Sequence, residues 1–228
     1  MRVLDLDLDF FLNNVCELAE YGCRPDISQA QPWSESEMRA FLENQCGLSR
    51  NNPIPGKVFE THDQALDFWQ ARARMPIHVT HVDAHSDLGI GRPGPAYVLE
   101  SVITRPPEAR GTVAAHRAAQ KLDEANYLLF ALAFRWIASL ENVRNPASRP
   151  DLPKQFCHDG YIQLISTVGA LIPALDHREP VIPFVNYDDY RAFRARAPYD
   201  LATLAISPRY SPPEADALVK IFCEYVIL

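Results

Sequence analysis

The sequence has no CxxC pair, no apolar run long enough to span a bilayer and no excess of positive charge. Each absence removes a class of protein. Five cysteines, Cys16, Cys23, Cys46, Cys157 and Cys223, are odd in number, so neither a disulfide framework nor a zinc knuckle is expected. They read as reduced thiols of a cytoplasmic protein. A membrane-spanning helix needs about 20 consecutive apolar residues, and there is no such stretch. No basic segment precedes an apolar one at the start, so no signal peptide is expected. The net charge of -7 gives no general attraction for nucleic acid or an anionic membrane, and favours a cationic substrate. Repeats, low-complexity tails and flexible linkers are missing as well. What is left is one globular domain over residues 1–228, with 47% hydrophobic and 22% charged residues.

The 19 prolines concentrate in loop-like stretches, chiefly at 52–56, 89–95, 105–111, 145–153 and 207–213. Between them, strand and helix patterns alternate. Strands are expected over 3–11, 77–83, 181–187 and 201–206. Ser34 with Glu37 forms a capping box that opens a helix carrying Met38, Phe41 and Leu42. Further helices are expected over 62–74, stopped ahead of Pro76, over 114–140 and over 214–225. The apolar run 161–171 fits either state. Alternation of this kind implies an α/β fold with a mainly parallel sheet, and an active site at the carboxyl ends of its strands.

Two segments carry the chemistry. In Asp5-Leu6-Asp7-Leu8-Asp9-Phe10-Phe11, strand alternation puts three carboxylates on one face and the leucines on the other. A solvated edge strand would tolerate that, but the leucines and Phe10-Phe11 point to a central strand, where desolvated carboxylates repel each other. Metal ions are the natural compensation. In His81-Val82-Asp83-Ala84-His85-Ser86-Asp87, the same period-2 spacing sets Asp83, His85 and Asp87 where a parallel strand leaves the sheet. Carboxylate with imidazole suits manganese, zinc or iron. Among the aspartates of the first segment, Asp7 and Asp9 leave six residues to cross the sheet, a usual strand length, whereas Asp5 and Asp7 leave four. Asp7 and Asp9 are therefore the expected ligands, with Asp5 a supporting or core group. Asp5 in place of Asp9 stays the open alternative.

The stretch Asp83-Ala84-His85-Ser86-Asp87 resembles the DAHxD motif of the ureohydrolases, the family of arginase and agmatinase. Their further metal-binding histidine lies about one helix upstream of that motif. His62 stands 21 residues before Asp83, without the glycines usual around that histidine. Asp7-Leu8-Asp9 is similar to their S-F-D-x-D strand, with Asp5 where the serine stands. In the ureohydrolases that strand follows the DAHxD motif, and here it opens the chain. Taken with Asn126-Tyr127-Leu128-Leu129 and Ser207-Pro208-Arg209-Tyr210-Ser211-Pro212-Pro213, the pattern looks like the peptide arginases. Those enzymes convert arginine to ornithine in ribosomally made peptides.

The resemblance implies a three-layer α/β/α, arginase-like fold with rearranged strand order. It also implies two Mn2+ ions held by Asp7, Asp9, His62, Asp83, His85 and Asp87. One would take His62, Asp83, Asp87 and Asp7, the other His85, Asp83, Asp7 and Asp9. The expected reaction is hydrolysis of peptidyl arginine to peptidyl ornithine and urea, with an arginine-containing precursor peptide as partner. His116 is a candidate proton shuttle, against a surface histidine. Asn126 is a candidate substrate-binding side chain, against an ordinary helix start. Asp188 and Asp189 either read a guanidinium or cap a turn. The loop 89–111 could admit a side chain presented by a larger chain. The C-terminal Tyr225-Val226-Ile227-Leu228 belongs to the core or to a homo-oligomer interface. The rival readings are a small-molecule ureohydrolase acting on arginine or agmatine, a metal-dependent deacylase, and a metal-stabilised peptide-binding module without turnover.

Overall fold

The computed structural model describes residues 1–16, 22–89, 94–166, 168 and 179–228. The opening strand β1 (Arg2–Asp7) is central, as its leucines require. It ends sooner than expected. Asp7 accepts the Asp9 N–H on its own side chain, and that turns Leu8–Phe11 into a 3-10 turn. Asp9 therefore leaves the alternation that Asp5 and Asp7 share. The capping box at Ser34 forms in full and opens α1 (Glu35–Ala40), which continues as a π turn over Phe41–Gln45.

A strand that the sequence reading took for loop follows, β2 (Ile54–Phe59). Its Pro55 and Gly56 read as turn residues, yet Gly56 is there for space. A Cβ at Gly56 would lie 2.7 Å from Val226 and 2.8 Å from the Ala202 carbonyl. A 3-10 turn, His62–Gln64, leads into α2 (Ala65–Arg72), and β3 (Ile77–Asp83) takes its expected bounds.

The long helix expected over 114–140 is instead three elements: α3 (Val113–Ala118), α4 (Tyr127–Ala133) and a strand, β4 (Ile137–Arg144). The helical path breaks at Gln120 (φ 53°) and again at Arg135 (φ 60°). The apolar residues 127–133 are buried all round, which hides the period that separates helix from strand.

Two short strands, β5 (Cys157–His158) and β6 (Tyr161–Ile162), form a hairpin. β6 is the start of the ambiguous run 161–171; residues 167 and 169–171 lie outside the described residues. Then come β7 (Ile182–Tyr187), β8 (Leu201–Ala205), α5 (Asp216–Cys223) behind a 3-10 turn, and β9 (Val226–Ile227) at the sheet edge.

The strand order among the described residues is β5-β6-β7-β4-β3-β1-β8-β2-β9. All pairings are parallel except β5 with β6 and β6 with β7. Alternate residues of the same strands feed two apolar clusters. Val3, Val79, Leu140 and Leu201 pack with Trp69 of α2 and with α4. Leu4, Leu6, Val82, Val143 and Leu204 pack with Met38 of α1 and Phe222 of α5. Each such side chain, once buried, contributes roughly 1.5–3 kcal/mol. No helix among the described residues is long and apolar enough to cross a membrane.

From β1 the chain goes to β2 on one side and returns to β3 on the other. Parallel sheets bind ligands beyond the carboxyl ends of their strands at such a reversal. Asp7 ends β1 and Asp83 ends β3.

Candidate metal centre

The face of the sheet that carries Val3 and Val79 also carries Asp5, Asp7, His81 and Asp83. In register, Asp5 stands opposite His81 on one side and Thr203 on the other. His62, delivered by the turn after β2, lies over them. Its Nδ1 is 3.1 Å from Asp7 Oδ2, 3.1 Å from Asp83 Oδ2 and 3.2 Å from Asp87 Oδ2, and its Nε2 is 3.2 Å from Asp5 Oδ2. His85 Nδ1 is 2.9 Å from Asp9 Oδ2 and 3.7 Å from Asp83 Oδ1. The six residues expected as ligands thus converge, and all of them line one cavity of about 160 Å³.

Each of three carboxylates is held by one oxygen and aimed with the other. Asp7 Oδ1 accepts the Asp9 N–H at 2.9 Å, Asp83 Oδ1 accepts the His85 N–H at 2.6 Å, and Asp9 Oδ1 accepts the Ala84 N–H at 3.3 Å. Their Oδ2 atoms face the histidines. Ser207 donates to Asp7 Oδ2. Asp87 and Ser207 both have left-handed backbones, with φ of 51° and 46°. Such a conformation is costly outside glycine and clusters at functional sites. The loop after β3 is fastened from outside: Asp151 accepts the Ser86 N–H at 2.7 Å and pairs with Arg144. Asn145 donates to the Phe10 and Leu12 carbonyls at 2.8 and 2.7 Å, and so pins the turn that carries Asp9.

The electrostatics are those of a site short of positive charge. Burial raises the Asp9 carboxyl well above its usual range, and the charges of Asp7 and Asp83 raise it further. Burial and the charge of Asp83 push Asp87 up to about 7. Burial disfavours charge on His62 and His85 too, but the surrounding aspartates outweigh it and raise both well above the usual histidine range. Asp83 and Asp5 go the other way: burial would raise them, and the neighbouring histidines hold both far down.

The donor set fits a metal. Among the described residues, His62 Nδ1 and Nε2, His81 Nε2 and His85 Nε2 are buried and complete no hydrogen bond. One imidazole N–H cannot serve the three carboxylate oxygens around His62 Nδ1. Ligands of one octahedral ion with bonds of about 2.1 Å sit ~3 Å apart, which is close to the spacing seen. Donor groups able to hold an ion are Asp7-His62-Asp83, Asp9-Asp83-His85, Asp5-His62-His81 and His81-Asp83-Asp87.

Several further residues of the site carry a weak signal in the sequence or none. His81 is fully buried, 3.5 Å from both Asp5 and Asp83, and its place one alternation before Asp83 was the available signal. Tyr127 stacks on His62 at 4.6 Å and donates to Asp5. Thr203 gives Asp5 a second donor at 2.6 Å. These contacts make Asp5 a fully buried supporting group as well as a member of one donor set. Glu124 and Asp151 line the cavity with nothing local in the sequence to mark them, and Tyr210 lines it from the stretch 207–213 that the sequence pattern includes without a role.

Two of the candidate residues lie elsewhere. His116 does not line the cavity. It is buried on α3, where Nε2 meets the Arg110 carbonyl at 2.6 Å and Nδ1 meets the Tyr97 hydroxyl at 3.2 Å, so it is not a surface histidine either. Asn126 closes the turn ahead of α4, accepting from the Asp123 N–H and donating to the Lys121 carbonyl, both at 3.1 Å. Asp188 and Asp189 serve a turn, bonded to Asn186 and Arg191. No described residue of the loop 89–111 lines the cavity, and residues 90–93 of it lie outside the described residues. No protein-family model, no curated protein and no solved structure matches the chain.

Proposed function

We propose that the chain is a hydrolase that holds two divalent ions, in the first place manganese, and converts peptidyl arginine to peptidyl ornithine and urea. The observation that carries this reading is a pair of donor sets, Asp7-His62-Asp83 and Asp9-Asp83-His85, that share Asp83 on the wall of a carboxylate-lined cavity. A shared carboxylate is how two ions are kept a few ångströms apart. Oxygen-rich ligation favours manganese over zinc. The two apolar clusters on alternate residues of the strands support a three-layer, arginase-like arrangement with rearranged order.

When bound, two such ions supply a hydroxide near neutral pH and stabilise the charge that builds up in hydrolysis. The chain's own residues select and hold the substrate. Glu124 and Asp151 line the cavity outside the two donor sets, and Asp151 is spent on Arg144 and the Ser86 N–H, which leaves Glu124 as the carboxylate able to exchange its partner for a cation. Glu124 is paired with Arg209 at 3.0 Å, so it already receives a guanidinium. Tyr210 packs against His85 at 4.8 Å and walls the opening. A cavity of roughly 150 Å³ takes a benzene-sized molecule, which is the scale of a guanidinium with part of its stem. The reaction balances as a guanidinium cation plus water giving urea and an alkylammonium. A free amino acid would need partners for its α-amino and α-carboxylate groups, whereas a peptidyl arginine needs none.

The test is mass spectrometry of an arginine peptide incubated with protein and manganese, with free arginine alongside and bound metal counted. Loss of CH2N2 from the peptide with urea released supports the reading. Turnover of free arginine alone makes it a small-molecule ureohydrolase. Two bound metals without any urea would point to a deacylase or to a binding module.

A further inference from the structure

A second hollow, of about 870 Å³, adjoins the metal cavity, and Asp151 lines both. One wall is the outer edge of β7. On its inner side β7 pairs with β4 through Phe184, Val185, Asn186 and Tyr187. On its outer side the β5–β6 hairpin covers only Ile182 and Pro183, with one further bond from the Phe184 N–H to the Gly160 carbonyl at 3.0 Å. Backbone groups alternate in direction along a strand, so Asn186 turns its N–H and C=O the same way as Phe184, toward the hollow. Val185, 41% exposed, and Asn186 both line it, together with Lys154 and Asp159. A strand edge that no described residue covers, beside a groove of mixed polarity, is a template for an added strand. Charges of both signs give no phosphate-binding character.

We propose that this groove binds the backbone of the substrate peptide beside the modified arginine. The peptide adds as an extended strand along the outer edge of β7 at Asn186, and its arginine side chain enters the acidic cavity past Asp151. This inference rests on the reading of peptidyl arginine as the substrate. It places specificity for sequence next to the arginine in a groove that the metal motifs do not touch.

The experiment compares N-acetyl-arginine amide with peptides extended on either side of the arginine. It uses the full chain loaded with manganese, and reads urea release together with fluorescence polarisation of a labelled arginine peptide. Extension on one side should lower KM about tenfold, the worth of one or two net backbone hydrogen bonds. Val185→Arg and Lys154→Glu should each abolish that gain and weaken peptide binding, while urea release from N-acetyl-arginine amide stays unchanged. N-methylation of alternate peptide amides beside the arginine should raise KM as well. If the variants keep the full gain, or N-methylation has no effect, strand addition on β7 is wrong. If Val185→Arg turns a dimer into a monomer by size exclusion and leaves peptide affinity alone, the edge belongs to a second copy of the chain and the proposal is overturned. Peptide binding that Val185→Arg weakens, with no urea from any substrate, would keep the groove and sink the hydrolase reading instead.

Discussion

At the scale of single residues, Asp83 holds the centre together. It belongs to both donor sets, its Oδ1 is fixed by the His85 N–H, and its Oδ2 faces His62. Asp83→Asn keeps the shape and removes the charge. It should lose both metals, counted by inductively coupled plasma mass spectrometry, and reduce urea release to background. A variant with full activity would show that the ligand assignment is mistaken. Tyr127 is a different case. Its hydroxyl donates to fully buried Asp5, while its ring stacks on His62. Tyr127→Phe keeps the ring and strips a donor from a buried carboxylate, a loss of about 1–3 kcal/mol. For a chain of this size that lowers Tm by ~2–4 °C per kcal/mol. Because the hydroxyl belongs to neither proposed metal set, metal content should hold even as the melting curve shifts.

At the scale of elements, the sheet explains what the sequence showed and what it hid. β1 was legible because Asp5 and Asp7 alternate with Leu4 and Leu6, and period 2 is a strand signature. β3 was legible as a short run rich in β-branched residues, Ile77, Val79, Thr80 and Val82, opening behind Pro76. The capping box before α1 was legible because it is local. β2 was hidden because Pro55 and Gly56 are turn residues by composition, and only the approach of Val226 and Ala202 gives Gly56 its reason. β4 was hidden behind α4, since a helix buried on every side loses its polar stripe. The Gly56 contacts make a sharp expectation. Gly56→Ala pushes a methyl into backbone and a β-branched side chain, neither of which can swing away. It should cost ~1–3 kcal/mol by overpacking, read as a lower denaturant midpoint with an unchanged slope. Unchanged stability would mean that β9 does not pack against β2 as described.

At the scale of the whole molecule, the candidate metal centre gathers residues from the ends of β1 and β3, the turn after β2 and the loop after β8. Five of the expected donors, Asp7, Asp9, Asp83, His85 and Asp87, were legible because they sit in two dense motifs, and His62 only through its distance of 21 residues from Asp83. Glu124 and Asp151 were not, because only the fold brings them to the cavity. Concentrating buried carboxylates in this way ties stability to metal and pH. In the metal-free protein, burial first and neighbouring aspartates second raise Asp9 and Asp87, the latter to about 7. A carboxyl raised on folding binds more protons folded than unfolded, so its contribution falls as pH climbs from about 4 to its folded value. His62 and His85 are raised as well, so what they contribute is complete below about 6.5 and fades as pH rises through their folded values. Asp83 and Asp5 are lowered, and their stabilisation is lost only on acidification below about 4. The metal-free protein should therefore be most stable in mild acid and weaken toward pH 8. Metal binding must displace those same protons, so affinity for manganese should rise over that interval. Thermal melts with manganese and with EDTA across pH 5.5–8 should show the gap between the two curves widening steadily with pH. A gap that stays constant or narrows would mean that these aspartates and histidines are not where the ion binds.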